Sequence, residues 1–541
     1  MNEISFKIKY LNFRNILILL SFLAAVIVLI FLLTGSTSES AVQSNNFTTS
    51  SMFLKNNTLY YLSQDFKKIK LSENTDILST VSSTGDNLSN IFYNTKVVDH
   101  VKIIYFITFS STDQFLGTLY KYEENKGIEK IDENVYAALQ ISDDEKSLAY
   151  FKVNGDWHAN SPSETLYIYN SGIKTKISDN FSQFNMLFSG DSKTIFYVDV
   201  DSNNNNVILY EKKLDGTKTK IDSSDNLSLI YASKDGTYVI YSKYSDTNRD
   251  FPSLYIKKQG HSPELITFSS FTYVINKKNL GIYYIGDYKY GAKTGDLFYK
   301  AFDKKSIKLD VNVNSFVYAS NTQDDLDYYY NSDKILYTKN TSSISNIYYI
   351  NNFSSPIKLF SPVDEQGILI SSLKNNVLYN LKTNSKDLSI KKVNIENKKA
   401  IITTKVFKDE SVVMNSGLSN DPNYQSILTS SNNKLYSLNL KNNIKTLIGD
   451  FSNNISFYFY SNNVFYYVDE NNLYKKVSGK KPEKIFDNIA GIKLFSKGKF
   501  LISKKTSVNG LYDLYTYEEK KPLQTLETGV SRVILDYTMQ Q

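Results

Sequence analysis

The stretch LFSGDSKTIFYVDVDSNNNNVILYEKKLDGTKTKI, residues 187–221, contains the pattern that decides the fold. Two apolar runs, 187–188 and 195–198, flank a polar segment that begins Ser-Gly-Asp-Ser, and such residues favour turn dihedrals. A Leu-Tyr pair follows at 209–210, and a second apolar residue, Ile221, stands eleven positions after the aromatic. Alternating apolar residues on both sides of short polar loops predict β-hairpins. The stretch therefore predicts two successive hairpins, that is, four antiparallel strands.

The same two marks recur along the chain about every 44 residues. The first mark occurs at Leu59-Tyr60, Leu119-Tyr120, Leu166-Tyr167, Leu209-Tyr210, Leu254-Tyr255, Leu297-Phe298, Ile347-Tyr348, Leu435-Tyr436, Leu473-Tyr474 and Leu514-Tyr515, with a degenerate pair at Leu388-Ser389. The second mark follows at Leu71, Ile131, Ile177, Ile221, Ile266, Leu309, Leu359, Leu447, Ile485 and Leu526, and the 388 unit lacks it. Repeats of four strands predict an all-β chain of about ten β-propeller blades.

Ten or eleven repeats exceed the four to eight blades that are usual in one ring. We therefore predict two propellers, residues 51–320 and 321–541. The seam is placed at NTQDDLDYYYNSD (321–333), where the step between repeats lengthens. One large propeller over residues 51–541, or an eight-bladed ring with irregular insertions, is the alternative.

Three turns carry a resemblance to known propellers: SDDEK at 142–146, SGDSK at 189–193 and SKDG at 233–236. They resemble TolB-type propellers and the propeller domains of prolyl-oligopeptidase-like and dipeptidyl-peptidase IV-like proteins, which typically show Ser-Pro-Asp-Gly-Lys there. Here the Pro is absent from all three turns, and the Gly stands in that place only in the last. The segment 462–477 is similar to Tyr-rich propellers of uncharacterised clostridial membrane-anchored proteins. The resemblance implies a propeller without a peptidase domain, and its turn and core residues imply no particular activity.

A membrane anchor is predicted near the N-terminus. Ile16–Leu33 reads ILILLSFLAAVIVLIFLL, which has no charge and is long enough to cross a hydrocarbon core of about 30 Å. Three basic residues precede it and none follows until Lys55, so the positive-inside rule places residues 1–15 in the cytoplasm. Residues 34–50 then form a polar stalk, and the bulk of the chain is extracytoplasmic on a single-pass membrane protein. The rival interpretation is a signal peptide cleaved near 38–40, although the apolar run is longer than about 7–15 residues.

The composition excludes several kinds of chemistry. With no cysteine, disulfides and thiolate ligands are impossible. His100, His158 and His261 do not stand at metal-ligand spacing, and no Gly-x-Ser-x-Gly or phosphate-binding loop occurs. No cofactor is expected. The net charge of +7 is dispersed, which is typical of a solvated Lys-rich surface and compatible with attraction to anionic wall polymers. Nucleic acid is not expected on the outer side of a membrane.

Three loops at equivalent places in neighbouring repeats form the candidate ligand-binding face. Trp157 and His158 stand in VNGDWHANSPSE (153–164), Arg249 in KYSDTNRDFPS (243–253), and Tyr288 and Tyr290 in GDYKYGAKTG (286–295). A large rigid aromatic side chain in a loop can anchor a glycan or protein ligand. The alternative is that Trp157 folds back onto its own blade.

One acidic loop is a weak calcium candidate. Asp199, Asp201 and Asn203 alternate as in a calcium loop. The turn glycine is missing at the sixth position and the acid at the twelfth, so an ordinary polar hairpin loop is favoured and no metal site is predicted.

The functional expectation is a membrane-anchored binding scaffold or sensor for a protein, peptide or cell-wall ligand, and not an enzyme. Two alternatives stay open at this point: a lyase-like or glycosidase-like propeller enzyme with a site in the central channel, and a structural subunit of a membrane complex.

Overall fold

The computed structural model describes residues 51–541, with gaps. The gaps are residues 64, 74–91, 99–100, 111–112, 145, 155–162, 202–205, 246–247, 271, 277–279, 318–332, 342–343, 352–353, 361–367, 373–376, 384–386, 397–398, 413–425, 441, 451–454, 462–463, 478–479, 497, 534–536 and 539–541. The predicted cytoplasmic tail, anchor and stalk lie outside the described residues. Within the described part of the chain, no helix is long and apolar enough to cross a membrane.

The described residues form 44 β-strands and no helix, which confirms the all-β prediction. The first strands are β1 (Ser51–Lys55), β2 (Thr58–Leu62), β3 (Lys68–Ser72), β4 (Phe92–Val98), β5 (Val101–Ser110), β6 (Asp113–Glu123), β7 (Gly127–Ile141), β8 (Ser147–Asn154), β9 (Ser163–Asn170), β10 (Ile173–Ser178), β11 (Phe181–Phe188), β12 (Thr194–Asp201), β13 (Asn206–Lys213) and β14 (Lys218–Ser224). The next are β15 (Leu227–Ala232), β16 (Tyr238–Ser245), β17 (Asn248–Lys258), β18 (Glu264–Thr267), β19 (Thr272–Asn276), β20 (Gly281–Lys289), β21 (Thr294–Ala301), β22 (Ile307–Val313), β23 (Ser315–Phe316), β24 (Lys334–Thr341), β25 (Ile344–Asn351), β26 (Ile357–Phe360), β27 (Ile368–Ser372), β28 (Val377–Thr383), β29 (Leu388–Glu396) and β30 (Lys399–Phe407). The last are β31 (Ser411–Val412), β32 (Ser426–Ser431), β33 (Lys434–Asn439), β34 (Lys445–Asp450), β35 (Ile455–Ser461), β36 (Val464–Asp469), β37 (Asn472–Val477), β38 (Glu483–Phe486), β39 (Ile489–Ser496), β40 (Lys499–Lys505), β41 (Tyr512–Glu518), β42 (Gln524–Val530), β43 (Arg532–Val533) and β44 (Tyr537–Thr538).

These strands pair in sequence order as small antiparallel sheets. Most sheets have four strands, for example β11-β12-β13-β14 and β15-β16-β17-β18. One seven-stranded sheet, β4 to β10, consists of two such groups that share the long strand β7. Counting that sheet twice, the described strands form eleven groups, which we number units 1 to 11 in chain order. Each has four strands, except that β44 adds a fifth strand beside β39 in unit 11.

Each unit places the first mark in its third strand, which in unit 8 is the degenerate pair Leu388-Ser389. The second apolar mark falls in the fourth strand, where ten of the eleven described units have a β-bulge at that place. In unit 4, Leu209 pairs with Asp222 and Tyr210 with Lys220, so Ile221 is the extra, bulged residue. In unit 9 the bulge lies at Ile448, so the predicted mark at Leu447 is wrong by one residue. Ile448 is 4 % exposed, whereas Leu447 is 47 % exposed.

The Ser-x-Asp turns join the first two strands of units 3, 4 and 5, as predicted. In each turn the Ser hydroxyl donates to the Asp carboxylate two residues later, at 2.6–2.7 Å. The same hydroxyl oxygen accepts the N–H of the residue that begins the second strand, at 2.9–3.1 Å. The turn therefore closes with its own side chains, which explains why it needs neither Pro nor Gly.

Aromatic rings account for much of the packing within a unit. The aromatic of the third strand stacks on a partner directly opposite it in the second strand. Stacked pairs with centroids 5.0–5.7 Å apart are Phe53–Tyr60, Phe106–Tyr120, Tyr150–Tyr167, Tyr197–Tyr210, Tyr241–Tyr255, Tyr284–Phe298, Tyr337–Tyr348 and Tyr467–Tyr474. The abundance of Tyr and Phe thus follows from the repeat itself.

The ends of the described chain lie together. Strand β43 pairs with β1 and completes the first sheet in the order β3-β2-β1-β43. Phe53 and Leu62 of unit 1 share a buried cluster with Phe495, Leu501 and Leu514 of unit 11. Strands β23 and β24, which flank the predicted seam, pair within one sheet. The division into two propellers stays a prediction.

Candidate functional site

An aromatic patch lies at the hairpin ends of units 5 and 6, and we define it as Phe251, Phe268, Tyr288 and Tyr290. Phe251 belongs to β17, next to the β16–β17 loop. Tyr288 belongs to β20 of the neighbouring unit, where the pairing with β21 is irregular between Gly286 and Lys289. The Phe251 and Tyr288 rings meet edge to face with centroids 5.0 Å apart, and the Tyr290 ring is 6.2 Å from Phe251. Aromatic contacts of this kind hold two hairpins from different units in one surface.

The fourth member of the aromatic patch is held through the backbone. The Ser253 hydroxyl donates to the carbonyl of Phe268 at 2.8 Å, and the N–H of Ser270 donates to the carbonyl of Pro252 at 3.0 Å. These bonds fix the segment after β18 against the start of β17 while the Phe268 side chain points to solvent.

The aromatic patch is distinctive because it is exposed. Phe268 is 69 % exposed and Tyr290 is 71 % exposed. Among the described side chains these are the only large exposed aromatics, although the chain has 43 Tyr and 32 Phe. Exposed apolar surface of this kind is typical of a binding site.

The patch also offers polar groups. The Tyr288 ring is half-buried, and burial raises the pKa of its phenol, which therefore stays a neutral hydrogen-bond donor. Asp287, Lys289 and Lys293 beside it are exposed. Rings bordered by hydroxyl, ammonium and carboxylate groups can contact both apolar and polar parts of a ligand.

The predicted site residues have different outcomes. Trp157 and His158 lie outside the described residues, and only the backbone of Arg249, in β17, is described. Tyr288 and Tyr290 come together around Phe251, so two of the three predicted loops meet. Ligand binding by these residues stays a prediction.

Two members of the aromatic patch were not singled out from the sequence. Phe251 lies inside a predicted loop, between Arg249 and Pro252, and an aromatic residue in a polar loop is the signal that could have identified it. Phe268 follows a fourth strand, outside every predicted hairpin loop, so the repeat pattern gave no signal for it.

Several buried or half-buried carboxylates have a different role, at the boundaries between units. In three boundaries, the residue directly after the bulge is an Asp that accepts hydrogen bonds from a Tyr and a Lys of the next unit's second strand. We call this contact the inter-unit latch. The latches are Asp132 with Tyr150 and Lys152, Asp222 with Tyr241 and Lys243, and Asp310 with Tyr337 and Lys339, at 2.5–3.0 Å.

The first latch shows its electrostatics most clearly. Burial alone would raise the pKa of Asp132, but hydrogen bonds from Lys152, Lys174 and Tyr150 outweigh burial and lower it. The Asp132 carboxylate is therefore ionised and fully engaged with cations at neutral pH. An ionised carboxylate held in this way is structural and is a poor general acid.

Asp199, the first residue of the weak calcium candidate, belongs to such a boundary. It is buried in β12, and its carboxylate lies 3.3 Å from Lys218 Nζ. Burial raises the pKa of Asp199, and bonds from Ser178 and Lys218 offset this only in part. Asp201 is half-buried, and Asn203 lies outside the described residues. No group of three or more metal-ligating side chains occurs among the residues that the structure describes.

The topology defines the class of protein. Successive four-stranded antiparallel units, paired in sequence order and packed through their faces, form a propeller-type β-repeat protein. The sequence matches no family model and no curated protein.

Solved structures that it resembles include β-propeller proteins. A prolyl endopeptidase aligns with 13 % identity and a TM-score of 0.31. The alignment covers 70 % of this chain and 54 % of the endopeptidase, so this chain spans about half of that protein's length. TolB from Acinetobacter baumannii aligns with 12 % identity and a TM-score of 0.25 over 55 % of this chain and 73 % of its own. The propeller domain of the Trilobed protease from Pyrococcus furiosus aligns with 13 % identity and a TM-score of 0.24. The alignment covers 73 % of this chain and 99 % of that domain. At this level of similarity, function must be argued from the chain's own residues.

Proposed function

We propose that this protein is a membrane-anchored, extracytoplasmic binding scaffold that holds a protein or peptide ligand on the aromatic patch. The observation that carries the proposal is the exposure of Phe268 and Tyr290 in a chain whose other described aromatics are at least partly covered. Exposed aromatics at an otherwise polar surface are the residues that most often dominate binding energy at interfaces. A wall glycan would use the same stacking surface and is the second ligand class to test.

Membrane anchoring rests on the sequence. The uncharged run Ile16–Leu33 and the basic residues before it support an uncleaved single-pass helix with the N-terminus inside. The clostridial resemblance of the C-terminal half is compatible with that topology. The propeller would then stand outside the cell membrane, with the polar segment 34–50 as a stalk.

For the arrangement of units, we propose the single-propeller alternative. The pairing of β1 with β43 and the shared core of units 1 and 11 support it, because these contacts join the two ends of the series. Two separate rings would instead bring each ring's own first and last units together.

The binding proposal is tested by capture from membrane-envelope and secreted fractions with the full chain in detergent. The variant Phe268→Ala/Tyr290→Ala should lose the captured ligand. The matched control is Ile173→Ala, since Ile173 is also 69 % exposed but lies on β10, away from the patch. Equal capture by the double variant and the control would reject the aromatic patch as the site, and release of the ligand by a glycosidase would identify it as a glycan.

The orientation in the membrane is tested by cysteine labelling. The chain has no native cysteine, so only the introduced cysteine can react. A membrane-impermeant maleimide should label a Ser171→Cys variant on intact cells, because Ser171 lies in an exposed turn. It should not label Ser5→Cys until the cells are opened. Labelling of both variants, or of neither, on intact cells would contradict the proposed orientation.

A further inference from the structure

The fourth strand of unit 8, β30, differs from the fourth strands of the other units. In the ten other described units a bulge interrupts the fourth strand at a buried or half-buried apolar residue. By contrast, β30 pairs with β29 over nine consecutive residues without a shift in register. No other described strand pairs with its outer side, so β30 is the edge of its sheet. Bulges are one of the ways in which proteins protect sheet edges against further pairing, and β30 lacks that protection.

The side chains of β30 are exposed on both faces. Ile401, Ile402 and Val406 are 45–47 % exposed, and Thr403 and Thr404 between them are exposed as well. The strand next to it is well packed, since Val393 and Ile395 of β29 belong to a buried cluster. The edge is therefore a straight, firmly held strand with apolar side chains available on each face.

The charge of this edge selects a partner. Residues alternate between the two faces of a strand, so Lys399, Ile401 and Lys405 lie on one face. The two ammonium groups stand six residues apart, about 20 Å along the strand. Neither has an ion-pair partner among the described residues, whereas the nearby Lys408 is paired with Asp387 at 2.6 Å. These cations lie at the two ends of a centre formed by Ile401 and Thr403, which fits an extended segment with acidic residues at both ends.

We propose that β30 is a strand-addition site for an extended segment of a partner protein, acidic at its ends and apolar at its centre. Main-chain hydrogen bonds to the unpaired side of β30 would supply affinity, as in other strand-addition complexes. Lys399 and Lys405 would determine specificity, because their positive charges attract acidic segments and repel basic ones. This site is independent of the aromatic patch, which lies on units 5 and 6.

The test uses the full chain in detergent and two fluorescent synthetic peptides. Both alternate Val and Thr, and both have charged residues six positions apart, Glu in one peptide and Lys in the other. We expect fluorescence anisotropy to show binding of the Glu peptide and about tenfold weaker binding of the Lys peptide. Hydrogen exchange should show new protection in 399–407. No binding of the Glu peptide, equal binding of both peptides, or protection at another strand would overturn the proposal.

Variants separate the edge from general surface effects. The change Lys399→Glu/Lys405→Glu affects only exposed side chains and should reverse the preference between the peptides. Ile402→Lys should weaken binding of the Glu peptide, whereas Val311→Lys, in the bulged fourth strand β22, should not. Equal loss in both Lys variants would overturn the proposal. Concentration-dependent dimerisation abolished by Ile402→Lys would also do so, since the occupant would then be a second copy of this chain.

Discussion

Neutralising Glu527 should loosen the contact between the last and first units. Glu527 directly follows the bulge of unit 11, and its carboxylate accepts hydrogen bonds from Lys55 and Lys68 of unit 1, both at 2.6 Å. Burial opposes ionisation, but these two ammonium groups lower the pKa of Glu527 from its ordinary value of 4.5 to about 2. The variant Glu527→Gln keeps the size of the side chain and removes the charge.

The pKa sets an upper limit on the loss. A decrease from 4.5 to about 2 corresponds to about 3 kcal/mol, at ~1.4 kcal/mol for each pH unit. The Glu527 side chain is 16 % exposed, but the two lysines are more open, so solvent screening reduces the effect. We expect a loss of about 1–2 kcal/mol at pH 7.

Native-state hydrogen exchange of the β1 amides measures this loss as a free energy of local opening. Because the folded-state pKa is lowered, the stabilisation is fully present above pH 4.5. It declines as the pH falls towards about 2, where both states bind the proton. The difference between wild type and Glu527→Gln should therefore be largest near neutrality and shrink in acid. The exposed pair Lys70–Glu73 provides the control, and Glu73→Gln should leave the exchange of β1 unchanged. A difference that is absent at pH 7, or that does not change with pH, would refute the reasoning.

Two further substitutions test the latch and the register, each against a matched position. Tyr241→Phe removes the 2.6 Å hydrogen bond to the half-buried Asp222 and should lower the free energy of unfolding by about 1–2 kcal/mol. Tyr197→Phe, at the same place in unit 4, should not lower it, because the Tyr197 hydroxyl has no hydrogen-bond partner. Equal urea midpoints for the two variants would contradict the latch. Ile448→Ala should cost about 2–5 kcal/mol and Leu447→Ala less than about 0.5 kcal/mol, because only Ile448 is buried. A larger loss of thermal stability for Leu447→Ala than for Ile448→Ala would indicate that the bulge lies at Leu447, as predicted from the sequence.

The repeat could be predicted from the sequence because its signals are local. The Leu-aromatic pair, the Ser-x-Asp turn and the second apolar mark each act within one hairpin, where spacing along the chain determines which residues face each other. The degenerate Leu388-Ser389 pair also fell in a third strand, β29, as assigned. The error at Leu447 has a local cause as well, since adjacent apolar residues at 447 and 448 leave the bulge position ambiguous.

The features that connect units were not accessible in this way. The latch joins residues 18 to 29 positions apart that belong to different units, and the spacing within one repeat does not specify such a contact. The aromatic patch likewise depends on how two hairpins lie side by side. Phe251 and Tyr288 are thirty-seven residues apart, and spacing within a repeat does not specify their contact.

The boundary between units 3 and 4 shows that the latch is a property of position and not of residue type. There the residue after the bulge is Ser178, and the carboxylate stands instead on the second strand of the next unit, as Asp199, where other latches have Lys. Lys218 supplies the charge from the fourth strand and lies 3.8 Å above the Tyr210 ring. The hydrogen bond across this boundary therefore runs from Ser178 to Asp199, with donor and acceptor exchanged, while the charge pair Asp199–Lys218 lies within unit 4.

The contact of Glu527 with Lys55 follows the same rule. Glu527 occupies the position after the bulge, and Lys55 stands two residues after Phe53, as Lys243 stands two residues after Tyr241. Phe53 stacks on Tyr60 as Tyr241 stacks on Tyr255. The last unit therefore meets the first through the contact that joins consecutive units elsewhere. The pairing of β43 with β1 adds a second contact at this boundary, one that other consecutive units do not have among the described residues.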